Sequence, residues 1–365
     1  MPLGNGDLAA NVWTEQNGDL VLLVAKSDAW TETGKLVKLG RVRIQLSPNP
    51  FAGAADFTQT LKLEDGSIEI KAGGNVIEVW ADANRPVIHL EAKLEKAATM
   101  QAGLELWRTA RPDNGGMFEL SGPIHVQGAA DTVFPARPDQ LAWCHFNPDS
   151  IYPLVLKEEH LESVVQKYPD PLLHRCFGAA LGGDGLASSD DHTLKSIAPG
   201  RNLRLDLVAL TETQADSAEG WRNQLDALVK EVGAISLDTA WTEHQQWWGD
   251  FWDRSWIHVG GTPDAAKVSQ GYIMQRYMMA ASSRGAFPVK FNGGLFTVGH
   301  DLSGNGNSDD RNHSPDFRAW GNSYWNQNCR LPYWPLIATG DFDLLKPWCF
   351  HYSMHRYRVH YLLQD

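Results

Sequence analysis

The sequence predicts an α+β protein whose strands come first along the chain and whose helices follow. From Asp7 to about residue 208, short apolar or alternating runs are separated by frequent turn residues, a pattern typical of an antiparallel β-sandwich. After Ser217, apolar residues recur with the period of a helix instead. Because strands and helices do not alternate, separate β and α domains are favoured over βαβ units.

The individual strands are predicted from these short runs. Residues 20–24 form an apolar run after the Asn17-Gly18 turn, and residues 41–46 alternate as a half-buried strand does. Residues 61–71 predict a hairpin around the Asp65-Gly66 turn. Further strands are expected at residues 76–80, 87–92, 101–107, 141–146, 172–181 and 202–210.

Helices are predicted at residues 217–232 and 238–252, and in the second of these Trp241, Trp248 and Trp252 share one face. A brief strand is expected at residues 257–259, and a longer helix runs from Pro263 to about residue 283. The apolar set of this longer helix is Val268, Tyr272, Ile273, Tyr277, Met278 and Ala281.

The last part of the chain is less regular. Residues 287–298 indicate mixed strand and loop, and residues 300–316 a polar loop. Helix is expected to resume near Tyr333, to break at Gly340-Asp341 and to resume again by Pro347.

Length and composition limit the classes of protein to which this chain can belong. A chain of 365 residues favours two domains, and 43% hydrophobic with 21% charged residues indicates a folded chain. The net charge of -12 argues against nucleic acid and anionic membrane surfaces as partners, because both require a basic face. No apolar run approaches the roughly 20 residues of a membrane span. We therefore predict neither a nucleic-acid nor a membrane partner.

The four cysteines, Cys144, Cys176, Cys329 and Cys349, are widely spaced and form no metal-finger pattern. We expect buried free thiols, with one disulfide as the alternative if the protein is exported.

Residues 317–334, FRAWGNSYWNQNCRLPYW, are the main candidate for a binding site. Aromatic faces suit the apolar faces of sugar rings, and amides can both donate to and accept from hydroxyls. The alternative is the start of a buried helix in a Trp-rich core, with the amides as caps. The residues concerned are the aromatics Trp320, Tyr324, Trp325, Tyr333 and Trp334, the amides Asn322, Asn326, Gln327 and Asn328, and the cations Arg318 and Arg330.

Three parts of the sequence contain residues that could bind a metal. The loop at residues 301–312 has spacings similar to a calcium loop, but Asn312 stands where a bidentate Glu is needed, and a plain solvated loop is favoured. Asp190-Asp191-His192 is expected to be an exposed turn. Core or partner-facing positions are favoured for His351, His355 and His360. We predict no metal and no cofactor.

A pair of catalytic carboxylates is not evident. A glycosidase normally needs two, and no Glu occurs after Glu243. The helical part offers few candidate carboxylates, of which Asp341 is expected to be an N-cap. These are Asp309, Asp310, Asp316, Asp341 and Asp343.

Four segments resemble bacterial α-L-fucosidase-like glycoside hydrolases. Residues 2–8, PLGNGDL, resemble the opening of these enzymes, and Ser27-Asp28-Ala29-Trp30 takes the place of a following acidic-x-x-Trp element. Residues 288–293, PVKFNG, resemble a Pro-Ala-Asn-Leu-Gln-Gly segment. Residues 326–334, NQNCRLPYW, resemble an Asn-x-Asn-x-Gln-x-Asn-Tyr-Trp segment, and they are closer still to a related set of bacterial proteins.

The resemblance implies a β-sandwich domain at residues 1–212, a helical linker at 213–258 and the first helices of an (α/α)6 barrel at 259–365. It also implies an inverting glycoside hydrolase in which Asn326 and Asn328 hold the attacking water. Arg330 and Pro332 replace a Gln and an Asn of the family, so the resemblance does not extend to a prediction of fucose specificity. Substrate-binding residues on this hypothesis are Asn292, Trp320, Tyr324, Trp325 and Arg330.

We expect this chain to be the N-terminal part of an exported protein, periplasmic or extracellular, although no signal peptide is visible. The acid and base would lie beyond Asp365, and the remainder of the barrel would be the partner of the helices here. Two alternatives stay open: a non-catalytic carbohydrate-binding protein with the same fold, and a structural fragment whose aromatic stretch is all core.

Overall fold

The structure, a computed structural model, describes residues 1–109, 128–290, 294–298, 315–316, 324 and 326–350. Its strands lie between Pro2 and Glu212. They are β1 (Pro2–Gly4), β2 (Leu8–Thr14), β3 (Leu20–Trp30), β4 (Leu36–Ser47), β5 (Thr58–Lys62), β6 (Ser67–Ala72), β7 (Asn75–Ala81), β8 (Val87–Glu105), β9 (Thr132–Val133), β10 (Gln140–Phe146), β11 (Cys176–Gly182), β12 (Leu186–Asp190), β13 (Thr193–Ser196) and β14 (Gly200–Glu212).

The described strands pair antiparallel in the order β1-β2-β3-β4-β8-β14-β11-β10-β9. Two branches also attach to β8: β5-β6-β7, of which β7 pairs with β8, and β12-β13, of which β13 pairs with β8. Side chains from both ends of this order, such as Leu22, Ile44, Ile77 and Leu205, meet in one core. The Trp143 indole donates to the Leu39 carbonyl at 2.7 Å across that core. The prediction of an antiparallel β region followed by helices, an α+β protein, is confirmed.

Strand β8 joins the two halves of the sheet. Its residues 88–93 pair with β7, and its residues 99–105 pair with β4. The prediction of separate strands at residues 87–92 and 101–107 was therefore wrong. The intervening residues 93–100 contain no Gly, Pro, Asn or Asp, so no residue there favours a turn.

The described helices are α1 (Tyr152–Glu158), α2 (Ala218–Gly233), α3 (Leu237–Asp253), α4 (Pro263–Ser282), α5 (Asn326–Cys329) and α6 (Trp334–Thr339), followed by helical residues 342–350. Side-chain oxygens of Ser217, Ser236 and Thr262 cap the N-termini of α2, α3 and α4. These three helices confirm the predictions. The short helix α1, which begins at Tyr152-Pro153, was missed.

Two local predictions were wrong. Residues 257–259 are not a strand, because the backbone N–H of Val259 donates to Ser269 Oγ at 2.7 Å instead of to a neighbouring strand. The described residues among 287–298 contain a 3₁₀ turn, Gly294–Phe296, and no strand. The division of the chain into domains at residues 212 and 258 stays a prediction.

The buried side of α4 differs from its apolar set. Val268 is 58% exposed and Ile273 is 38% exposed, whereas Ser269 and Arg276 are buried. Polar contacts account for this orientation, because Ser269 is hydrogen-bonded to the backbone of Val259 and Arg276 forms an ion pair with Asp341. Tyr277 and Ala281, which are buried, were assigned correctly to the core.

A second core joins the helices to the sheet. Trp248 and Phe251 of α3 pack with Tyr277 of α4, and the Trp248 and Tyr277 rings lie 5.5 Å apart. Tyr277 also donates its hydroxyl to the carbonyl of Pro2 at 2.9 Å, which ties α4 to the first strand. Trp248 and Trp252 of the Trp face predicted for α3 are therefore part of this core, whereas Trp241 packs against Trp80.

Gly66, in the predicted hairpin turn, has a φ of +61°, and a Cβ built there would lie 2.3 Å from Trp248. Gly53 has a similar φ of +64°, with open space around it. Backbone strain is thus common to both positions, whereas the steric clash exists only at Gly66.

We expect Gly53→Ala to lower the free energy of unfolding by about 1–2 kcal/mol through backbone strain alone. Gly66→Ala should cost at least about 1 kcal/mol more, because Trp248 must also move. Urea denaturation of both variants measures the difference, and equal costs would contradict the packing of Trp248 on the hairpin.

His244 of α3 is fully buried and makes two hydrogen bonds to backbone groups of the sheet region. Its Nδ1 accepts from the Ala83 N–H at 3.1 Å, and its Nε2 lies 2.6 Å from the Asp65 carbonyl, to which it donates. Only the neutral ring can make both bonds. Burial lowers the pKa of His244 to about 4.

The unfolded chain takes up a proton on His244 near pH 6.5, whereas the folded protein does so only near pH 4. The free energy of unfolding should therefore fall as the pH falls through this window, by up to about 3 kcal/mol from this residue. His244→Gln, which cannot titrate, should show a shallower fall. Parallel pH profiles of the two proteins in urea denaturation would exclude this role of His244.

Candidate functional site

A cavity of about 370 Å³ lies between the sheet and the helices. Strands β3 and β4 contribute to one wall, and α4 forms a second. Residues 288–290 and 294–296, together with Asn328, Leu331 and Pro332, complete the described lining. Most of the described lining side chains are apolar, including Met278, Met279 and Phe296. The volume is at the lower end of the ~300–1,000 Å³ typical of small-molecule sites.

Among the described lining residues, five have polar side chains: Ser27, Gln275, Ser282, Lys290 and Asn328. The hydroxyl of Ser27 donates to Asp7, and the amide of Gln275 donates to the Pro332 carbonyl at 3.0 Å. The Ser282 hydroxyl donates back to the carbonyl of Met278 within α4. These bonds fix the wall, so the cavity combines apolar surface with a few oriented polar groups.

Lys290 lies in an aromatic cage at the cavity wall. Its Nζ is 5.0 Å from the Trp30 ring centroid and 4.8 Å from that of Tyr324. Phe287 packs against both rings, at 5.4 Å from Trp30 and 6.5 Å from Tyr324. The faces of these rings attract a cation, so the buried ammonium is stabilised between them.

Of the residues predicted as one sugar site, the structure describes the side chains of Tyr324, Asn328 and Arg330, which have different surroundings. Asn328 lines the cavity, and Tyr324 lies one layer behind it, against Lys290. Arg330 stacks on Trp334 at 5.1 Å and is not among the described lining residues. Asn292, Trp320, Trp325 and the side chain of Asn326 lie outside the described part of the chain, as does the loop at residues 301–312.

Tyr333 belongs to the core and not to the cavity wall. It is 1% exposed, its hydroxyl bonds to Ser283 Oγ at 2.8 Å, and it accepts from the Val289 N–H at 2.7 Å. Burial raises the pKa of Tyr333 to about 12. Tyr333 thus holds the segment that carries Lys290, a role that the sequence analysis did not identify.

Lys38 of β4 contacts Leu295 and Asp316, which come near the two ends of the polar loop at residues 300–316 in the sequence. Its backbone N–H donates to Asp316 Oδ1 at 2.8 Å, and its ammonium donates to the carbonyl of Leu295 at 2.5 Å. Asp316 also accepts from Trp107 and Arg108, each at 2.6 Å. Asp316, one of the few candidate carboxylates, is therefore engaged in structural contacts.

A buried charge network extends from Asp316 into the sheet. Arg108 pairs with Asp131 at 2.9 Å, and His145 lies 2.9 Å from both Asp131 and Glu32. Burial acts to lower the pKa of His145, but hydrogen bonds to Asp131 and Glu32 together outweigh it and raise the pKa. No local pattern in the sequence joins these residues, which come from distant segments.

Asp341 is also a structural carboxylate. It follows Gly340 and precedes the helical residues 342–350, as expected of an N-cap, but its carboxylate binds Arg276 through two bonds of 2.9 Å. Both side chains are fully buried. Its role is thus an ion pair and not only a cap, which the spacing in sequence could not show.

The four cysteines are free thiols. Cys144, Cys176 and Cys329 are buried as predicted, but Cys349 is exposed. In residues 342–350 the buried positions are Leu344 and Pro347, so Cys349 falls on another side of the helix. The prediction of a buried thiol was wrong there.

Within the described ranges, no three His, Cys, Asp or Glu side chains are grouped as a metal site. Asp190 accepts from the His192 N–H in an exposed turn between β12 and β13, as expected. His351, His355 and His360 lie outside these ranges. No helix among the residues described has both the length and the apolar character needed to cross a bilayer.

Residues 1–257 match the family described as "Domain of unknown function (DUF5703)". The chain belongs to this family. The match covers the strands, α2 and α3, so DUF5703 includes the sheet side of the cavity but not α4 or residues 288–332. No curated protein sequence matches the chain.

Solved structures with a similar course of the chain are glycoside hydrolases and a related phosphorylase. A protein assigned as a kojibiose phosphorylase, from the human microbiome, is 10% identical over 89% of this chain, with a TM-score of 0.49. A bacterial glucoamylase complexed with acarbose is 10% identical over 94%, with a TM-score of 0.41. A family GH92 α-mannosidase from Bacteroides thetaiotaomicron is 8% identical over 78%, with a TM-score of 0.35. The chain spans 42%, 48% and 39% of their lengths, respectively.

Replacing Asp341 should be far more costly than replacing Asp343, two positions away. Asp341→Asn leaves the buried Arg276 without its counter-charge and should lower the free energy of unfolding by about 3–5 kcal/mol. Asp343 pairs with Arg254 at the surface, so Asp343→Asn should cost less than about 1 kcal/mol. Chemical denaturation compares the two, and similar losses would show that the buried pair is not special.

Proposed function

We propose that this chain is the N-terminal part of a glycoside-processing enzyme, an inverting glycoside hydrolase that acts on oligo- or polysaccharide. The observation that supports this most is the position of Asn328 at the wall of the cavity. Asn328 is one of the paired Asn residues that resemble the water-holding pair of fucosidase-like enzymes. Its amide can donate to one hydroxyl or water and accept from another.

The rest of the wall suits a sugar. Met278, Met279 and Phe296 offer apolar surface to a ring face, while Gln275 and Asn328 offer amides to its hydroxyls. We propose that Asn326 acts with Asn328, and that Asn292, Trp320 and Trp325 contribute to the same site. Tyr324 holds the Lys290 side chain in position by ring contact. Arg330 contacts the outer part of a longer saccharide. An exported location and further barrel helices belong to this proposal.

The proposed general acid and base lie beyond Asp365. Of the carboxylates considered in the helical part, Asp316 and Asp341 are held in ion pairs. The cavity wall, as far as it is described, has no Asp or Glu. The same observation favours the second candidate, a non-catalytic carbohydrate-binding protein with this fold.

Titration calorimetry with a panel of mono- and oligosaccharides tests the proposal. We expect Asn328→Ala to weaken binding about tenfold, the loss of roughly one net hydrogen bond. Gln327→Ala is the matched control, because Gln327 is the exposed neighbouring amide and should leave affinity unchanged.

Two results would contradict the proposal. If no saccharide binds, or if Asn328→Ala leaves binding intact while lowering the free energy of unfolding by more than about 2 kcal/mol, the amide is a structural group and the proposal fails. Where binding is found, turnover separates the two candidates. A gene product that continues past residue 365 and hydrolyses the bound saccharide is the enzyme, whereas binding without hydrolysis by that product indicates the binding protein.

A further inference from the structure

Gln275 is a half-buried amide of α4 that lines the cavity. Its Nε2 donates to the carbonyl of Pro332 at 3.0 Å, and Pro332 lines the same cavity. Because a carbonyl oxygen can only accept, this bond decides which end of the amide is the nitrogen and which is the oxygen. The orientation of the Gln275 amide is therefore fixed by the protein before any ligand binds.

The oxygen of this amide is available to a ligand. None of the residues that the structure describes donates a hydrogen bond to Oε1 of Gln275, and this oxygen retains solvent-accessible surface. A side chain that is already ordered loses little rotamer entropy when a ligand hydroxyl donates to it. Gln275 thus presents an oriented hydrogen-bond acceptor to the cavity.

The two serines among the described lining residues have the same bias. The Ser27 hydroxyl donates to Asp7, and the Ser282 hydroxyl donates to the carbonyl of Met278. A hydroxyl carries a single proton, so each serine has only lone pairs left with which to bind another group. The part of the wall formed by β3 and α4 is therefore better suited to accept hydrogen bonds than to donate them.

We infer that Gln275 is a specificity-determining residue of this site, whose Oε1 accepts the proton of one free hydroxyl of the sugar. The inference rests on the proposed function, since it names what the same cavity requires of its saccharide. A methyl ether or an acyl ester at that position of the sugar has no proton to donate, so such derivatives are disfavoured there. The site thus selects a sugar that is unsubstituted at the position facing Gln275.

Calorimetry with substituted sugars tests the inference from the side of the ligand. The probes are D-glucose, D-galactose and D-mannose, each compared with derivatives in which one hydroxyl is replaced by fluorine or by hydrogen. We expect fluorine at one position to weaken binding about tenfold, the effect of roughly one hydrogen bond. The deoxy derivative at that position should bind at least as well as the fluoro derivative, because fluorine there faces an oxygen that also carries partial negative charge.

Variants assign this effect to Gln275. Gln275→Met keeps the length of the side chain without the amide oxygen, so the sugar and its fluoro derivative should bind within about twofold of each other. A role of Gln275 limited to holding Pro332 would instead weaken both ligands equally and leave the ratio of their affinities intact. Gln270→Met is the matched control and should retain that ratio, because Gln270 is exposed on the same helix and is not among the described lining residues.

Several results would overturn the inference while leaving the proposed function standing. One is that sugars bind but no fluoro derivative binds more than about twofold more weakly than its parent. Another is that the loss persists in folded Gln275→Met, which assigns the hydroxyl to a different group. A third is that fluorine binds better than hydrogen at the position concerned, which assigns the contact to an N–H donor.

The remaining outcomes are separate from these. If no sugar binds, the proposed function itself fails. Should Gln275→Met not fold, Gln275→Glu takes its place, because a carboxylate still accepts the hydroxyl proton and should keep the preference for hydroxyl over fluorine. Loss of that preference in folded Gln275→Glu would overturn the inference.

Discussion

The ion pair between Arg276 and Asp341 holds the helical part of the chain together. Arg276 binds both oxygens of Asp341 at 2.9 Å, donates to backbone carbonyls of Phe251 and Ser255, and lies 4.3 Å above the Phe251 ring. One buried cation therefore fixes α3, α4 and the turn before residues 342–350 relative to one another. Because α4 forms a wall of the cavity, the position of that wall depends on this pair.

The sheet and the helices are joined by a small number of buried polar contacts as well as by apolar packing. His244 bonds to two backbone groups of the strand loops, Tyr277 bonds to Pro2, and Lys38 bonds to Leu295. A buried polar group is costly unless it is paired, so each contact specifies one arrangement among many that would bury similar apolar area. The cavity lies along this junction, and its shape follows from these contacts.

The aromatic stretch shows how burial divides one segment of sequence among different roles. Tyr333 is core, Asn328 faces the cavity, and Trp334 is 54% exposed beneath Arg330. Residues in short helical turns point in successive directions, so neighbours in sequence do not share an environment. The interpretation as a buried helix start holds for Tyr333, whereas Asn328 lies at the cavity wall, where a sugar site is our proposal.

Local patterns in the sequence determined the order of strands and helices, the Asp65-Gly66 hairpin and the starts of α2, α3 and α4, because periodicity, turn residues and caps act over a few neighbouring positions. Asn328 was singled out by a short segment that resembles fucosidase-like enzymes, and it lies at the cavity wall. Tertiary structure alone decided the continuous strand β8, the buried face of α4 and the Lys290 cage. Arg276 and Asp341 are separated by 65 residues, and Lys38 and Asp316 by 278. Pairings over such distances depend on how the elements pack, and no spacing in a single sequence reports them.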